Sequence, residues 1–175
     1  MLDSTTSREA ERAEFRREDA TTWSLGTIQR VSVPRDDLFP FFADAANLAR
    51  ITPPEVGFHI LTPQPIAMRA GTLIDYRIRL WGIPMPWRTE ITTWNPPHHF
   101  VDEQKRGPYR LWIHEHTFTP QNGGTLCTDR IRYAVLGGDL IHWLFVRRDV
   151  ERIFKYRATQ LQALFPASPS SGNSV

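Results

Sequence analysis

Apolar and polar side chains alternate between residues 72 and 81: Ile74, Tyr76, Ile78 and Leu80 share one parity, and Asp75, Arg77 and Arg79 the other. Successive side chains of a strand point to opposite faces, so this pattern predicts a strand with one buried face. The alternation returns in Trp87, Thr89, Ile91 and Thr93 against Arg88, Glu90 and Thr92, and again in Trp112, His114, His116 and Phe118. Segments 24–33, 58–61, 100–105 and 125–135 read as further strands. The turns fall at Gly82-Ile83-Pro84-Met85, Asn95-Pro96-Pro97, Arg106-Gly107-Pro108 and Gln121-Asn122-Gly123-Gly124. The last of these is a strong hairpin signal.

The period changes near the C-terminus. Leu140, Trp143, Val146, Val150, Ile153, Phe154, Leu161 and Leu164 recur at spacings of three and four. They predict one long helix from an Asp139 cap to about Phe165. Two short helices are expected after the first strand. One opens at Pro34-Arg35-Asp36-Asp37 and carries Leu38, Phe39, Phe41 and Phe42; the other is capped by Asp44 and holds Leu48 and Ile51. Thr52-Pro53-Pro54 stops the second, because proline disfavours helix in the residue before it. An antiparallel meander must cover its apolar face, and the terminal helix is the element large enough to do so. The order of elements therefore predicts an α+β helix-grip fold: a curved antiparallel β-sheet wrapped around a long C-terminal α-helix, with a cavity between them.

A chain of 175 residues suits one domain with a real core. Residues 1–22 are polar and mixed in charge, with Phe15 nearly the only large apolar group, so they are expected to be disordered or a frayed helix over 8–19. The folded domain is placed at 23–165 and a disordered tail at 166–175. A net charge of +2 does not suggest nucleic-acid binding. Cys127 is the single cysteine, which rules out an internal disulfide and a cysteine-rich zinc site. There is neither a secretory h-region nor an apolar run long enough for membrane insertion. A cytoplasmic protein is expected.

The candidate chemistry lies in the 112–118 stripe. Two imidazoles among large aromatics on an inner face need partners, and such a mixture is common in ligand pockets. The hairpin suggests that Phe118 faces Thr125, His116 faces Cys127, His114 faces Asp129, Trp112 faces Ile131 and Arg110 faces Tyr133. A carboxylate beside His114 raises its basicity and fixes its tautomer. Arg157, on the inner stripe of the helix, needs a carboxylate partner or a ligand anion; Asp102, Glu103 and Asp129 are the candidate partners, with the inward member of the 102–103 pair left open. His114, Asp129, Gln104 and Arg157 can form a structural network that fixes strand order. They can equally anchor a ligand, or His114 or His116 with Asp129 can act in acid–base catalysis. His114 and His116, as His-x-His on a strand, can also hold zinc or iron, with Asp129 a better third ligand than His98, His99, His59 or His142, but neither a cupin pattern nor HExxH is present and no metal is assigned. His98-His99 reads as a solvated turn.

The segments Phe100-Val101-Asp102-Glu103-Gln104, Gly107-Pro108-Tyr109, Trp112-Ile113-His114-Glu115-His116-Thr117-Phe118 and Ile153-Phe154-Lys155-Tyr156-Arg157, with Gly124-Thr125, Asp129 and Tyr133, are similar to the SRPBCC superfamily. That superfamily includes START lipid-transfer domains, Bet v 1-like proteins and polyketide cyclase/dehydrase-like proteins. The resemblance spans about residues 24–165. It is strongest to a bacterial ligand-binding branch sometimes joined to a sugar-epimerase-like Rossmann domain. The fold alone does not assign a reaction. The expected function is binding of a small hydrophobic molecule, such as a lipid, isoprenoid or polyketide-like compound, without a cofactor. Tyr76, Ile78, Trp87, Trp112, Phe118, Tyr133, Trp143, Val150 and Phe154 are expected to supply the wall. His114, His116, Asp129 and Arg157 are expected to orient a polar head. The alternatives are a cyclase or dehydratase, with His114 and Asp129 as base and His116 or Tyr133 as acid, and an interaction module for a separate Rossmann-type partner protein.

Overall fold

The computed structural model describes residues 12–166. One antiparallel sheet of eight strands runs in the order β1-β2-β8-β7-β6-β5-β4-β3. Its strands are β1 (Arg12–Arg17), β2 (Thr22–Val31), β3 (His59–Ile60), β4 (Leu73–Leu80), β5 (Ile83–Asn95), β6 (His99–Arg106), β7 (Leu111–Gln121) and β8 (Gly124–Ala134). Helix α1 (Arg35–Phe42) and 3-10 turns at Ala45–Ile51 and Pro54–Val56 follow β2. The long helix α2 covers 138–164, in three runs: Gly138–Ile141, a π-helical turn at His142–Val146, and Arg147–Leu164. This is the helix-grip α+β arrangement. Among the described residues no helix is long and apolar enough to cross a membrane.

The apolar parity of each strand becomes the inner face. Leu25, Ile131 and Tyr133 are fully buried against Val146 and Val150 of α2, while Ile74, Tyr76, Ile78, Leu80 and Trp87 bury a second cluster under Val56. Asp44 caps the first 3-10 turn by accepting a hydrogen bond from the Ala46 amide at 2.9 Å. The turn carries Leu48 and Ile51 as expected, in 3-10 rather than α geometry.

Three expectations are corrected, and one lies outside the described residues. Residues 12–17 form neither coil nor helix: they pair with β2 from Arg12↔Ile28 to Arg17↔Trp23. Edge pairing satisfies backbone groups without a large apolar surface, and Arg147 lies over the Phe15 ring at 4.9 Å. The tail expected to be disordered lies, from residue 167 on, outside the described residues. The β4–β5 turn is Trp81-Gly82, one step earlier than the prolines suggest, with φ of 52° and 81°. Pro84 and Pro86 sit inside β5, before its pairing with β6 begins at Arg88, so no ladder bond on that side is lost. The β7–β8 hairpin has a two-residue turn, Asn122-Gly123, both with positive φ, as a type I′ turn requires. This shifts the register by two: Phe118 faces Cys127, His116 faces Asp129, His114 faces Ile131 and Trp112 faces Tyr133. A shift of two keeps every side chain on its expected face.

Candidate functional site

A cavity of about 200 Å³ lies between the sheet and α2, closed on one side by α1 and the 3-10 turns. Tyr76, Ile78 and Trp87 of β4 and β5, Trp112 of β7, and Val150 and Phe154 of α2 line it. Trp112 meets the Trp87 ring at 5.5 Å, edge to face, and Tyr109 at 4.7 Å. Trp87 Nε1 and the Tyr76 hydroxyl both bond Thr89 Oγ1, at 2.9 and 3.1 Å. The polar atoms of Tyr76 and Trp87 are thus satisfied within the wall.

At one end the wall becomes polar. Asp102, His114, His116 and Arg157 also line the cavity. Phe100 pairs with His116 and Asp102 with His114 across β6–β7, so Asp102, not Glu103, is the inward carboxylate. His116 Nε2 lies 2.9 Å from Asp102 Oδ2, and its Nδ1 lies 2.8 Å from Asp129 Oδ1. His114 Nε2 contacts the same Asp129 oxygen at 3.0 Å, and His114 Nδ1 faces Asp102 Oδ2 at 3.6 Å. Arg157 Nη2 stands 3.5 Å from Asp129 Oδ1. Its guanidinium is also near the Phe42 and Phe154 rings, at 5.6 and 5.8 Å. Phe100 stacks on His116 with ring centres 4.1 Å apart.

The electrostatics follow from burial and pairing. Burial pushes the His114 pKa down, the charge on His116 pushes it further, and it falls to about 4, so this ring is neutral. Burial opposes a charge on His116 too, but its bonds to Asp102 and Asp129 outweigh that and raise its pKa. Burial would raise both carboxylates. The His116 bond and the nearby His114 and Arg157 lower Asp102 instead, and Arg157 with both imidazoles holds Asp129 well below its ordinary value. With His116 charged, two carboxylates face two cations, and the buried cluster is balanced.

Several expected site residues lie elsewhere. Phe118 is buried behind the cavity against Phe39 and Phe42. Tyr133 is fully buried beside His142, its hydroxyl 3.3 Å from Nδ1. Trp143 is 51% exposed and packs edge-on against Trp23, because the π-helical turn rotates it off the inner stripe. Asp129 does not line the cavity; it sits one layer behind, against both imidazoles. Gln104 is not in the cluster: its Nε2 donates to the Tyr109 carbonyl at 2.7 Å and braces the β6–β7 turn. His98 is exposed and contacts Arg35. Asp102 is the main residue that sequence reasoning left undecided. The length of the connection between β6 and β7 sets its direction through the register Asp102↔His114, and alternation alone does not encode that length. Phe41, Phe42 and Ile51 also line the cavity, brought there by the chain reversal after β2.

Comparison with known proteins agrees with this architecture. Residues 31–154 match the family model described as polyketide cyclase / dehydrase and lipid transport. Among curated proteins none matches. Protein Ms6760 from Mycobacterium smegmatis superposes with a TM-score of 0.64 at 19% identity, covering 89% of this chain and 99% of that one. Protein CV1439 from Chromobacterium violaceum gives 0.64 at 18% identity, over 83% and 98%. Ginseng major latex-like protein 151 from Panax ginseng gives 0.63 at 12% identity, over 83% and 99%. At these identities the likeness is one of fold. The family match covers well over half of the sequence, and the chain belongs to the polyketide cyclase / dehydrase and lipid transport family.

Proposed function

We propose that this protein binds a small hydrophobic molecule in the cavity under α2, its apolar body against Tyr76, Ile78, Trp87, Trp112 and Phe154 and its polar end at Asp102 and His114. The observation that carries this reading is the one-sided distribution of polarity: an aromatic and aliphatic wall with ionisable groups gathered at one end. The cavity, about 200 Å³, is smaller than the range of about 300–1,000 Å³ usual for ligand sites, and favours a compact molecule. The family description, which names both cyclases and lipid transport, is compatible with a binder and with an enzyme.

The acid–base alternative is less well supported by the electrostatics. A general base works best with a pKa near the working pH, and His114 is held at about 4. Both nitrogens of His116 already face carboxylates. The arrangement suits orientation better than proton transfer.

Native and denaturing mass spectrometry of the same freshly purified sample tests the reading. An organic mass present only in the native spectrum is expected, and it should be lost in Ile153→Trp, which places an indole in the cavity from α2. A bare native protein that also fails to take up the apolar dye 8-anilinonaphthalene-1-sulfonate would sink it.

A further inference from the structure

Asp102 lies on β6, while His114 and His116 lie two residues apart on β7, and three of their atoms converge. Asp102 Oδ2 is the atom that faces both His114 Nδ1 and His116 Nε2. The carboxylate oxygen is 2.9 Å from one nitrogen and 3.6 Å from the other. Two ligand atoms bound to a tetrahedral zinc ion, each about 2.0–2.1 Å from it, are about 3.3 Å apart. The observed spacings straddle that value. All three residues line the cavity, so an ion held between them keeps its remaining positions on the cavity side.

The second nitrogens of the two rings are equally telling. His114 Nε2 and His116 Nδ1 lie 3.0 and 2.8 Å from one oxygen of Asp129, which stands behind the cavity. A carboxylate there takes the proton of each ring and directs the opposite lone pairs forward, the usual way in which a metal-binding imidazole is oriented. Arg157 in turn contacts Asp129 at 3.5 Å. With His114 Nε2 donating to Asp129, its Nδ1 lone pair faces a carboxylate oxygen, two electron-rich atoms that a cation between them would satisfy together. The charges agree: two carboxylates, their side chains 19% and 13% exposed, stand against one permanent cation, Arg157.

We infer that Asp102, His114 and His116 form a site for one divalent transition-metal ion at the polar end of the cavity, with Asp129 as the residue that orients both imidazoles. Two imidazoles and a carboxylate with open positions form a donor set for Zn²⁺, Co²⁺ or Fe²⁺ rather than Ca²⁺ or Mg²⁺, which prefer all-oxygen cages. The site does not depend on an organic molecule filling the rest of the cavity.

The full chain, stripped with a chelator and dialysed, is titrated with Co²⁺ and followed by visible absorption, then with Zn²⁺ as competitor. One ion per chain is expected, with the cobalt bands lost on adding Zn²⁺. Asp102→Asn and His114→Gln should abolish the bands. Asp129→Asn should keep the stoichiometry and weaken affinity about 10–100-fold. The pair His98→Gln/His99→Gln, which does not line the cavity, should change nothing. Near-ultraviolet circular dichroism of each variant shows that the fold is intact. Nitrogen-15 shifts of the wild-type imidazoles give a check free of variants: Zn²⁺ should move His114 Nδ1 and His116 Nε2. Absence of stoichiometric uptake, or uptake that survives Asp102→Asn in a folded protein, overturns the inference. Ile153→Trp, which should block the apolar cavity, is expected to retain Co²⁺, so failure of the organic ligand and failure of the metal are separable.

Discussion

His114 bonds Asp129 across the β7–β8 pair, Nε2 to Oδ1 at 3.0 Å, although its register partner is Ile131. The contact is diagonal, and Asp129 thereby serves His114 and its own partner His116 with one oxygen. His114 is surrounded by Asp102 of β6, His116 of β7, Asp129 of β8 and, through Asp129, Arg157 of α2.

This geometry sets an acid dependence of stability in the metal-free protein. Burial and the charge on His116 depress the His114 pKa from 6.5 to about 4. As pH falls from about 6.5, the unfolded chain takes up a proton on this residue and the folded one does not, so the unfolded state is favoured. Stability should therefore fall between about pH 6.5 and 4. Below that window the lowered Asp102 and Asp129 add a loss of the same sign, because their contribution is present above the unfolded pKa and disappears as they protonate. His116, with its raised pKa, acts oppositely: its contribution is full below about pH 6.5 and is lost as pH rises through its folded value. Urea unfolding of wild type and His114→Gln at several pH values measures the difference. A wild-type slope between pH 6.5 and 4 that persists unchanged in His114→Gln would refute the assignment.

Arg157 and Asp129 should behave as a coupled buried pair. Removing the cation in Arg157→Met leaves Asp129 with excess negative charge in a buried setting, which typically costs about 3–5 kcal/mol. Asp129→Asn removes that charge, so the double variant should be less destabilised than the sum of the singles. Chemical denaturation of the four proteins of the cycle gives the coupling. Simple additivity would mean that the 3.5 Å contact carries no energy.

The turn that presents Tyr109 and Trp112 to the cavity has its own signature. A Cβ at Gly107 would lie 2.3 Å from Gln104 Oε1, whose amide donates to the Tyr109 carbonyl. Gly107→Ala should displace Gln104, break this brace and cost about 1–2 kcal/mol. In a Gln104→Ala background the clash is gone, and Gly107→Ala should then be close to neutral. Thermal melts of the three variants decide this; equal penalties in both backgrounds would show that the glycine is needed for another reason.

Much of this was legible in the alternation. Ile74, Tyr76 and Ile78, then Trp87, Thr89 and Ile91, declared their inner faces because a period of two has one interpretation once a core must be buried. The spacing of Val150, Phe154, Arg157 and Leu161 likewise placed Arg157 inside. Properties set by a single inserted residue were not legible. The type I′ turn at Asn122-Gly123 moved the register by two. The register of β6 against β7 settled which of Asp102 and Glu103 points inward, and the π-helical turn at His142–Val146 carried Trp143 out to solvent. Strand β1 escaped for a different reason: only Ala13 and Phe15 are apolar in the Arg12–Arg17 segment, and two positions on one face of an edge strand are too short a pattern to read.

In the proposed binding role, Trp112 is placed to limit the length of a ligand in the cavity. Its ring packs against Trp87, Tyr109 and Tyr133 at 5.5, 4.7 and 6.0 Å and also lines the cavity. Trp112→Ala removes those contacts and should cost stability, about 3–5 kcal/mol as the upper end for a core tryptophan, and less here because the side chain is only half-buried. The space it vacates adjoins the existing cavity rather than forming a sealed void, so a longer apolar ligand can refill it. In a series of linear fatty alcohols of increasing length, wild type should lose affinity beyond a cut-off length, and Trp112→Ala should move that cut-off upward. Binding should also raise the melting temperature of the variant more than that of the wild type for the longer members. An unchanged cut-off in a folded Trp112→Ala protein would mean that the ligand approaches from the α1 side and ends before it reaches this ring.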